Sequence, residues 1–194
     1  MSSIFPKVDP DGLLEYSVVY TDRAVNHMSQ SLQQVMRDIS STLKKVYNAH
    51  SVAIVPGSGT FGMEAVARQF ATDKKCLVIR NGWFSYRWTQ IFEMGRIPSK
   101  EIVLMAQQTD ASATAPFAPP TIEAVLATIE KEKPDVVFAP HVETSSGMIL
   151  PNDYIQKVGE AIHAVGGLFI LDCIASGAIW VDMEKSAVDV LISA

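Results

Sequence analysis

The sequence lacks the features typical of secreted, membrane-spanning or nucleic-acid-binding proteins. Only two cysteines occur among its 194 residues, Cys76 and Cys173, which predicts buried free thiols in a reducing cytoplasm rather than a disulfide framework. The net charge is −5 and no run of Lys or Arg occurs, so no nucleic-acid partner is expected. The longest apolar stretches, such as 166–171, are too short to span a membrane. No charged leader precedes an apolar core at the N-terminus, so secretion is not expected.

The hydrophobic residues, 48% of the chain, alternate between two patterns. Continuous apolar runs predict buried strands at 52–55, 77–79, 102–105, 136–139, 168–171 and 188–192. Apolar residues at helical spacing predict helices at 26–47, 61–70, 84–94, 122–132 and 154–165. This alternation predicts an α/β fold with a mainly parallel sheet. Pro and Gly punctuation predicts an irregular N-terminal arm at 1–20 and a surface loop at 111–120.

In such a sheet, ligands bind beyond the carboxyl ends of the strands, so the residues after each apolar run are candidates for a site. The run 52–55 is followed by Pro-Gly and then by Ser58, Gly59 and Thr60, at the predicted start of a helix. A small Gly-rich turn at a helix N-terminus offers unpaired N–H groups to a phosphate. The alternative is that Thr60 caps the helix and the glycines form an ordinary turn.

Aromatic and hydroxyl side chains follow two further strands. The run 77–79 precedes four aromatic residues within six positions, in a chain that is only 8% aromatic; they are Trp83, Phe84, Tyr86 and Trp88. One of them is suited to stack on a planar ligand, whereas core packing is expected of the other three. The run 136–139 precedes a Ser- and Thr-rich segment that includes His141 and Glu143. Because no third ligand lies nearby, we expect structural hydrogen bonds from these two residues rather than metal binding.

Asp172 directly follows the run 168–171. A carboxylate at the end of a buried strand is unfavourable unless a metal, a protonated ring nitrogen or a helix N-terminus pairs with it. The position therefore indicates a site without identifying its chemistry.

The order and spacing of these motifs resemble those of class V aminotransferases, which are pyridoxal 5'-phosphate (PLP) enzymes of fold type I. The motifs are Ser58-Gly59-Thr60, Asn81-Gly82-x-Phe84, Glu143-Thr144-Ser145-Ser146-Gly147 and Asp172. The resemblance is greatest to the branch that contains alanine–glyoxylate and serine–pyruvate aminotransferases. It implies that residues 21–194 form a PLP-binding large domain, a three-layer sandwich with a mainly parallel sheet that is incomplete at its C-terminus.

The resemblance implies that Ser58, Gly59 and Thr60 hold the phosphate of PLP. Asp172 would pair with the pyridine nitrogen and keep it protonated. A protonated ring is an electron sink for the carbanion that forms when the substrate's Cα loses its proton. Asp172 is thus the implied catalytic residue of this chain.

The remaining implied contacts concern the pyridine ring itself. Phe84 would cover one face, Ile174 would pack against the other, and Thr144 would hydrogen-bond the phenolic oxygen. In the related cysteine desulfurases the stacking group is usually a histidine, and this chain has none between His50 and His141. The resemblance therefore favours transamination over desulfuration.

The implied reaction transfers an amino group from a small donor of the alanine or serine type to a 2-oxo acid such as glyoxylate or pyruvate. The alternatives are a desulfurase or lyase of the same fold, and a non-catalytic paralogue that binds a phosphate ligand. The family's Schiff-base lysine follows a strand like 188–192, and the chain ends before that lysine. The segment alone is therefore expected to be inactive and to belong to a longer protein, and a homodimer is expected because family members are homodimers.

Overall fold

The computed structural model describes residues 30–194, and contacts between residues divide the chain into two units, Met1–Ala53 and Ile54–Ala194. The described part of the first unit is mainly helix α1 (Gln30–Tyr47). Asn48 follows this helix with a left-handed backbone (φ 51°), a common way to end a helix. The predicted helix 26–47 is confirmed from residue 30 onward. Its predicted start and the predicted arm 1–20 lie outside the described residues, and the domain boundary at residue 21 stays a prediction.

The second unit alternates strands and helices, as the sequence predicts. Its helices are α2 (Gly59–Phe70), α3 (Trp83–Gly95), α4 (Ile122–Glu132) and α5 (Asn152–Ala164). Its strands are β1 (Lys75–Arg80), β2 (Lys100–Met105), β3 (Gln107–Gln108), β4 (Phe117–Ala118), β5 (Val136–Pro140), β6 (Val142–Glu143), β7 (Met148–Ile149), β8 (Leu168–Asp172) and β9 (Val190–Ile192). Between residues 30 and 194, no helix combines the length and the apolar character needed to cross a membrane.

Five strands form a parallel sheet in the order β2-β1-β5-β8-β9. From β1 the chain continues to β2 on one side, whereas β5, β8 and β9 follow one another on the other side. The strand order therefore reverses between β1 and β5. Because all these strands are parallel, their carboxyl ends share one edge, and ligands of open α/β sheets bind beyond that edge at the point of reversal.

Helices cover both faces of this sheet, which makes it the middle of three layers. Side chains alternate between the two faces along a strand. Leu77 and Ile79 of β1 belong to the core cluster that contains residues of α4 and α5, whereas Cys76 and Val78 belong to the cluster that contains residues of α2 and α3. Coverage on both faces explains why the runs in β1, β5 and β8 are continuously apolar. The predicted three-layer α/β sandwich is confirmed.

Helix α4 shows how local sequence fixes the ends of an element. The hydroxyl oxygen of Thr121 accepts a hydrogen bond from the N–H of Ala124 (3.3 Å) and caps the first turn. Lys133 ends the helix with a left-handed backbone (φ 46°), directly before Pro134, which cannot continue it. The observed bounds coincide with the predicted helix 122–132.

The segment 52–55 is not a strand, contrary to the prediction. Residues 51–55 adopt no regular structure, and Ile54 and Val55 are exposed. A strand forms only when a neighbouring backbone shares its hydrogen bonds, and no strand of the described sheet pairs with this segment. Its apolar character alone was therefore a misleading signal.

Two other predicted boundaries change in the structure. The predicted loop 111–120 contributes strand β4, which pairs antiparallel with β3 and so forms a small hairpin. The predicted strand 188–192 begins only at Val190, where pairing with Ile170 of β8 starts. Both differences arise from pairing between segments, which an apolar run does not specify.

Replacing Phe138 should destabilise the fold strongly. Its fully buried ring lies 4.6 Å from the ring of Trp88 and 5.1 Å from that of Phe92, measured between centroids. Because Phe138→Ala leaves a cavity between β5 and α3, we expect the free energy of unfolding to fall by about 3–5 kcal/mol. Phe117→Ala, at a site that is 53% exposed, should lower it by less than about 1 kcal/mol. Chemical denaturation measures both changes, and equal losses would contradict the assignment of Phe138 to the core.

Candidate functional site

The N-terminus of α2 presents unpaired N–H groups beside small side chains. Ser58 occupies the N-cap position, and its hydroxyl makes no capping bond. Its carbonyl oxygen accepts from the N–H of Phe61 (2.9 Å), which starts the helix. The N–H groups of Gly59 and Thr60 donate to no residue in the described part of the chain. The alternative in which Thr60 caps the helix is therefore wrong, and the turn has the free donors that an anion requires.

Ile174, two residues beyond the end of β8, packs directly against this turn. A Cβ on Gly59 would lie 2.6 Å from Cδ1 of Ile174. Glycine at position 59 therefore lets the side chain of Ile174 approach the backbone of the turn. The structure thus brings together two predicted residues that are 115 positions apart in the sequence.

The first turn of α3 carries Phe84 and is held by residues of the segment after β5. The N–H groups of Phe84 and Ser85 donate to Oε1 and Oε2 of Glu143 (3.0 and 2.9 Å). The hydroxyls of Ser85 and Ser145 donate to the same carboxylate (2.7 and 2.5 Å). Ser145 Oγ also accepts from the N–H of Trp83 (2.8 Å). Every N–H of the first three helical residues therefore has a partner in the segment that follows β5.

The carboxylate of Glu143 is completely buried, yet it stays ionised. Burial by itself would raise its pKa, but the hydrogen bonds from Ser145, Ser85 and Phe84 outweigh burial and lower the pKa below its usual value. The positive end of the α3 dipole favours an anion at the same place. Glu143 is thus a structural hydrogen-bond acceptor, as predicted, with a fixed negative charge.

Two predicted ring contacts adjoin this carboxylate: Thr144 follows Glu143 in the sequence, and the N–H of Phe84 donates to Glu143. Thr144 is exposed in the loop between β6 and β7, and its hydroxyl bonds no described residue. The ring of Phe84 is 40% exposed, whereas Trp88 is fully buried in the core. Trp83, for which core packing was expected, is instead exposed.

Asp172 ends β8 as a buried carboxyl group with one protein partner for its side chain. Its Oδ1 accepts from the N–H of Ile174 (2.9 Å), and Oδ2 bonds no described residue. Burial raises the pKa of this carboxyl to about 6; the Ile174 bond lowers it, the negative charge of Glu143 raises it, and the positive charge of Arg87 lowers it. The group can therefore either keep a proton or pair with a cationic donor near neutral pH.

Arg87 is a site residue that the sequence reasoning missed. Its Nη1 donates to the hydroxyl oxygen of Thr60 (2.9 Å), and its Cζ lies 5.6 Å from the centroid of the Phe84 ring. It forms no ion pair with any residue between 30 and 194. The signal was present, because Arg87 follows Phe84 by three positions and residues at that spacing share a helix face.

His141 serves the framework of the site rather than its surface. It is buried, its pKa is lowered by that burial, and its Nδ1 lies 2.7 Å from Oγ of Ser176. Its backbone N–H donates to the carbonyl of Asp172 (2.8 Å) and continues the pairing of β5 with β8. In the described chain, no group of three His, Cys, Asp or Glu residues is placed to hold a metal ion.

The sequence profile of aminotransferase class V matches residues 11–194. The chain belongs to the class V aminotransferase family. Alanine–glyoxylate aminotransferase of Rattus norvegicus is 27% identical to it over 175 residues, which are 88% of this chain and 39% of that protein. A 2-aminoethylphosphonate–pyruvate transaminase of Bacillus cereus is 30% identical over 165 residues, 84% of this chain and 42% of that protein.

A solved structure of a similar protein has the same fold. The crystal structure of ureidoglycine–glyoxylate aminotransferase from Bacillus subtilis superposes with a TM-score of 0.73 at 24% identity, over 87% of this chain and 41% of that one. The chain thus spans about two fifths of the length of these relatives. The family and the fold predicted from the strand-end motifs are confirmed.

Replacing Asp172 with Asn should stabilise the protein when no ligand is bound. The folded-state pKa of about 6 exceeds the ordinary value of 3.8, so the folded state loses stability as the pH rises from about 4 to about 6. Asn avoids this loss and retains an oxygen for the N–H of Ile174. We therefore expect a gain of up to about 3 kcal/mol in the free energy of unfolding at about pH 7.

Denaturant titrations at several pH values measure this effect. The gain should shrink as the pH falls below about 6 and vanish below about 4, where Asp172 is protonated in both states. Asp110→Asn is the control. Bonds from Ser112 lower the pKa of Asp110, so this substitution should decrease rather than increase the free energy of unfolding at about pH 7. A native protein as stable as Asp172→Asn at about pH 7 would refute the raised pKa.

Proposed function

We propose that this chain is the PLP-binding part of an aminotransferase. The observation that carries the proposal is Asp172, a buried carboxyl with an unpaired oxygen. It is joined through Ile174 to the anion-binding turn at Gly59. A cationic donor stabilises the ionised form of a buried acid of this kind, and the protonated nitrogen of a pyridine ring is one. An anion site and a pyridinium partner on the same sheet edge fit PLP, which carries a phosphate and a ring nitrogen.

The phosphate would be held at the start of α2. The N–H groups of Gly59 and Thr60 are free to donate, as is the hydroxyl of Ser58. The hydroxyl oxygen of Thr60 accepts from Arg87, which directs the Thr60 proton away from that cation and toward an anion. These donors fit a phosphate without any rearrangement of the helix.

The ring would lie between Phe84 and Ile174. Phe84 is 40% exposed, and Ile174 presents a partly buried apolar side chain beside Gly59. The free hydroxyl of Thr144, next to the buried Glu143, is available to the phenolic oxygen. Two apolar faces fix the ring plane and exclude water from it.

When bound, PLP supplies an electron sink for a carbanion at the substrate's Cα. Asp172 would hold the proton on the ring nitrogen, and its burial keeps water from competing for that proton. The start of α2 would anchor the phosphate so that the ring cannot rotate away from Asp172. Lys185 is not assigned a role, because its Nζ pairs with Asp182 (3.2 Å) in an exposed turn.

The names of the relatives support the class of substrates. Glyoxylate or pyruvate appears in the name of each of the three relatives described above. We therefore propose a small 2-oxo acid as the acceptor. For the amino donor we propose the alanine or serine type that the resemblance of the sequence motifs implies.

We further propose a homodimer in the cytoplasm. Phe61 and Trp83, at the starts of α2 and α3, are each about 60% exposed, and large exposed apolar side chains are typical of interaction surfaces. Cys76 and Cys173 are buried free thiols whose pKa burial raises to about 12, as expected in a reducing compartment.

The reaction class is tested by product analysis of the full-length protein with PLP. With alanine and glyoxylate we expect glycine and pyruvate, because the proposed acceptor is a small 2-oxo acid. With cysteine alone we expect no sulfide. Sulfide production without any new amino acid would replace the aminotransferase proposal with a desulfurase.

Asp172→Ala should impair turnover more than cofactor binding in the same protein. Loss of the partner of the ring nitrogen removes stabilisation that matters most in the transition state, so we expect turnover to fall by at least about a hundredfold. The phosphate contacts remain, so equilibrium dialysis should still show bound PLP. Near-normal turnover of Asp172→Ala would refute its catalytic role.

A further inference from the structure

We infer that Glu143 is the positioning residue for the stacking ring of Phe84, acting through the backbone of α3 rather than by touching the cofactor. The inference rests on the proposed function, because Phe84 has a ring to cover only if PLP binds. It extends that function by naming the group that fixes where the covering ring lies.

The first turn of α3 has no local side chain that accepts from the N–H groups of its first three residues, although the hydroxyl of Ser85 accepts from the N–H of Gly82 (3.1 Å). The N-cap residue is Gly82, which carries no side chain. The carboxylate of Glu143 takes over this task from another part of the chain, with bonds to the N–H groups of Phe84 and Ser85 (3.0 and 2.9 Å). The N–H group of the stacking residue itself is therefore one of the anchored donors.

The side chains of Ser145 and Glu143 occupy the space that a capping side chain at position 82 would fill. A Cβ on Gly82 would overlap Oγ of Ser145 and would lie 2.7 Å from Cγ of Glu143. Side chains from beyond β5 thus fill the N-cap space of α3. Glycine at position 82 is the condition for this close approach.

The bonds of Glu143 form a clamp between the segment that follows β1 and the segment that follows β5. This clamp lies just beyond the point where β1 and β5 cease to pair. Strands β1 and β5 pair as far as Val78 and Phe138, and beyond those residues the chains diverge at the reversal of strand order. Three sets of bonds bridge the gap: those of Glu143, the bond from the N–H of Trp83 to Oγ of Ser145 (2.8 Å), and the bond from the hydroxyl of Ser146 to the carbonyl of Asn81 (3.0 Å). Glu143 therefore joins the segment that carries Phe84 to the segment that carries Thr144.

The bonding pattern requires a carboxylate in particular. Each oxygen accepts two bonds: Oε1 from Phe84 N–H and Ser145 Oγ, and Oε2 from Ser85 N–H and Ser85 Oγ. In Glu143→Gln one oxygen becomes an NH₂ group that faces a backbone N–H and a hydroxyl; the N–H loses its acceptor, whereas the hydroxyl can rotate to accept from the NH₂. The substitution preserves side-chain size but breaks half of the clamp, so the first turn of α3 should shift together with Phe84.

The test measures binding of pyridoxamine 5'-phosphate to the full-length protein freed of cofactor. This probe has the ring and phosphate of PLP but no aldehyde, so it reports non-covalent contacts alone. We expect Glu143→Gln and Phe84→Ala each to raise the dissociation constant about five- to tenfold. In the double variant, Glu143→Gln should add less than about a twofold effect, because its action passes through the ring that is already absent.

A matched control separates positioning from general support of the helix. Glu101 also accepts a bond from α3, from the hydroxyl of Thr89 in the middle of the helix (2.7 Å). Glu101→Gln should change the dissociation constant less than about twofold. If Glu143→Gln weakened binding by the same factor with and without Phe84, its role would be support of the fold and the inference would be wrong.

Ser145→Ala is the second variant, for use if Glu143→Gln does not fold. It removes one bond to Oε1 and the partner of Trp83 N–H but keeps the charge. We expect a smaller loss of affinity, about threefold, that again vanishes in the Phe84→Ala background. Unchanged affinity would overturn the positioning role while leaving the proposed function intact. A native protein that binds no pyridoxamine 5'-phosphate would overturn the proposed function, and this inference with it.

Discussion

The reversal of strand order between β1 and β5 is the constraint on which the rest of the second unit depends. These two strands pair with each other and are buried on both faces, so they belong to both core clusters. Because the chain leaves their carboxyl ends in opposite directions, this is the point of an open α/β sheet at which ligands bind. The segments that leave β1 and β5 carry Phe84 and Thr144, and the residues that follow the adjacent β8 include Ile174. The family's sheet topology thus places candidate ligand contacts side by side before any side chain is specified.

Stability and the candidate chemistry are opposed at this edge. Two buried carboxyl groups, Glu143 and Asp172, lie close enough for the charge of Glu143 to raise the pKa of Asp172. The protein compensates Glu143 fully with hydrogen-bond donors but gives the side chain of Asp172 only the N–H of Ile174. One acid is therefore part of the framework, and the other is left with unused bonding capacity. Residues with unused capacity in a buried crevice are where a ligand gains most from binding.

The sequence predicted what depends on local pattern and missed what depends on pairing. The helix 122–132 was exact because Thr121 and Pro134 mark its ends, and the five sheet strands were found because both-face burial makes continuous apolar runs. Segment 52–55 has the same composition but no partner strand in the described sheet, and composition cannot reveal that. The bonds of Glu143 to α3 join residues 58 and 59 positions apart. Only the folded chain identifies Gly82 and Glu143 as parts of one cap.

The absence of a side chain at Gly82 has a consequence for how sequences of this kind can diverge. A Ser or Asp at position 82 could cap α3 locally, but it would occupy the volume now filled by Ser145 and Glu143. Positions 82, 143 and 145 are therefore expected to co-vary as a set among homologues, each arrangement excluding the other. A designer who grafts a new stacking residue onto α3 would have to transfer the distant acid as well.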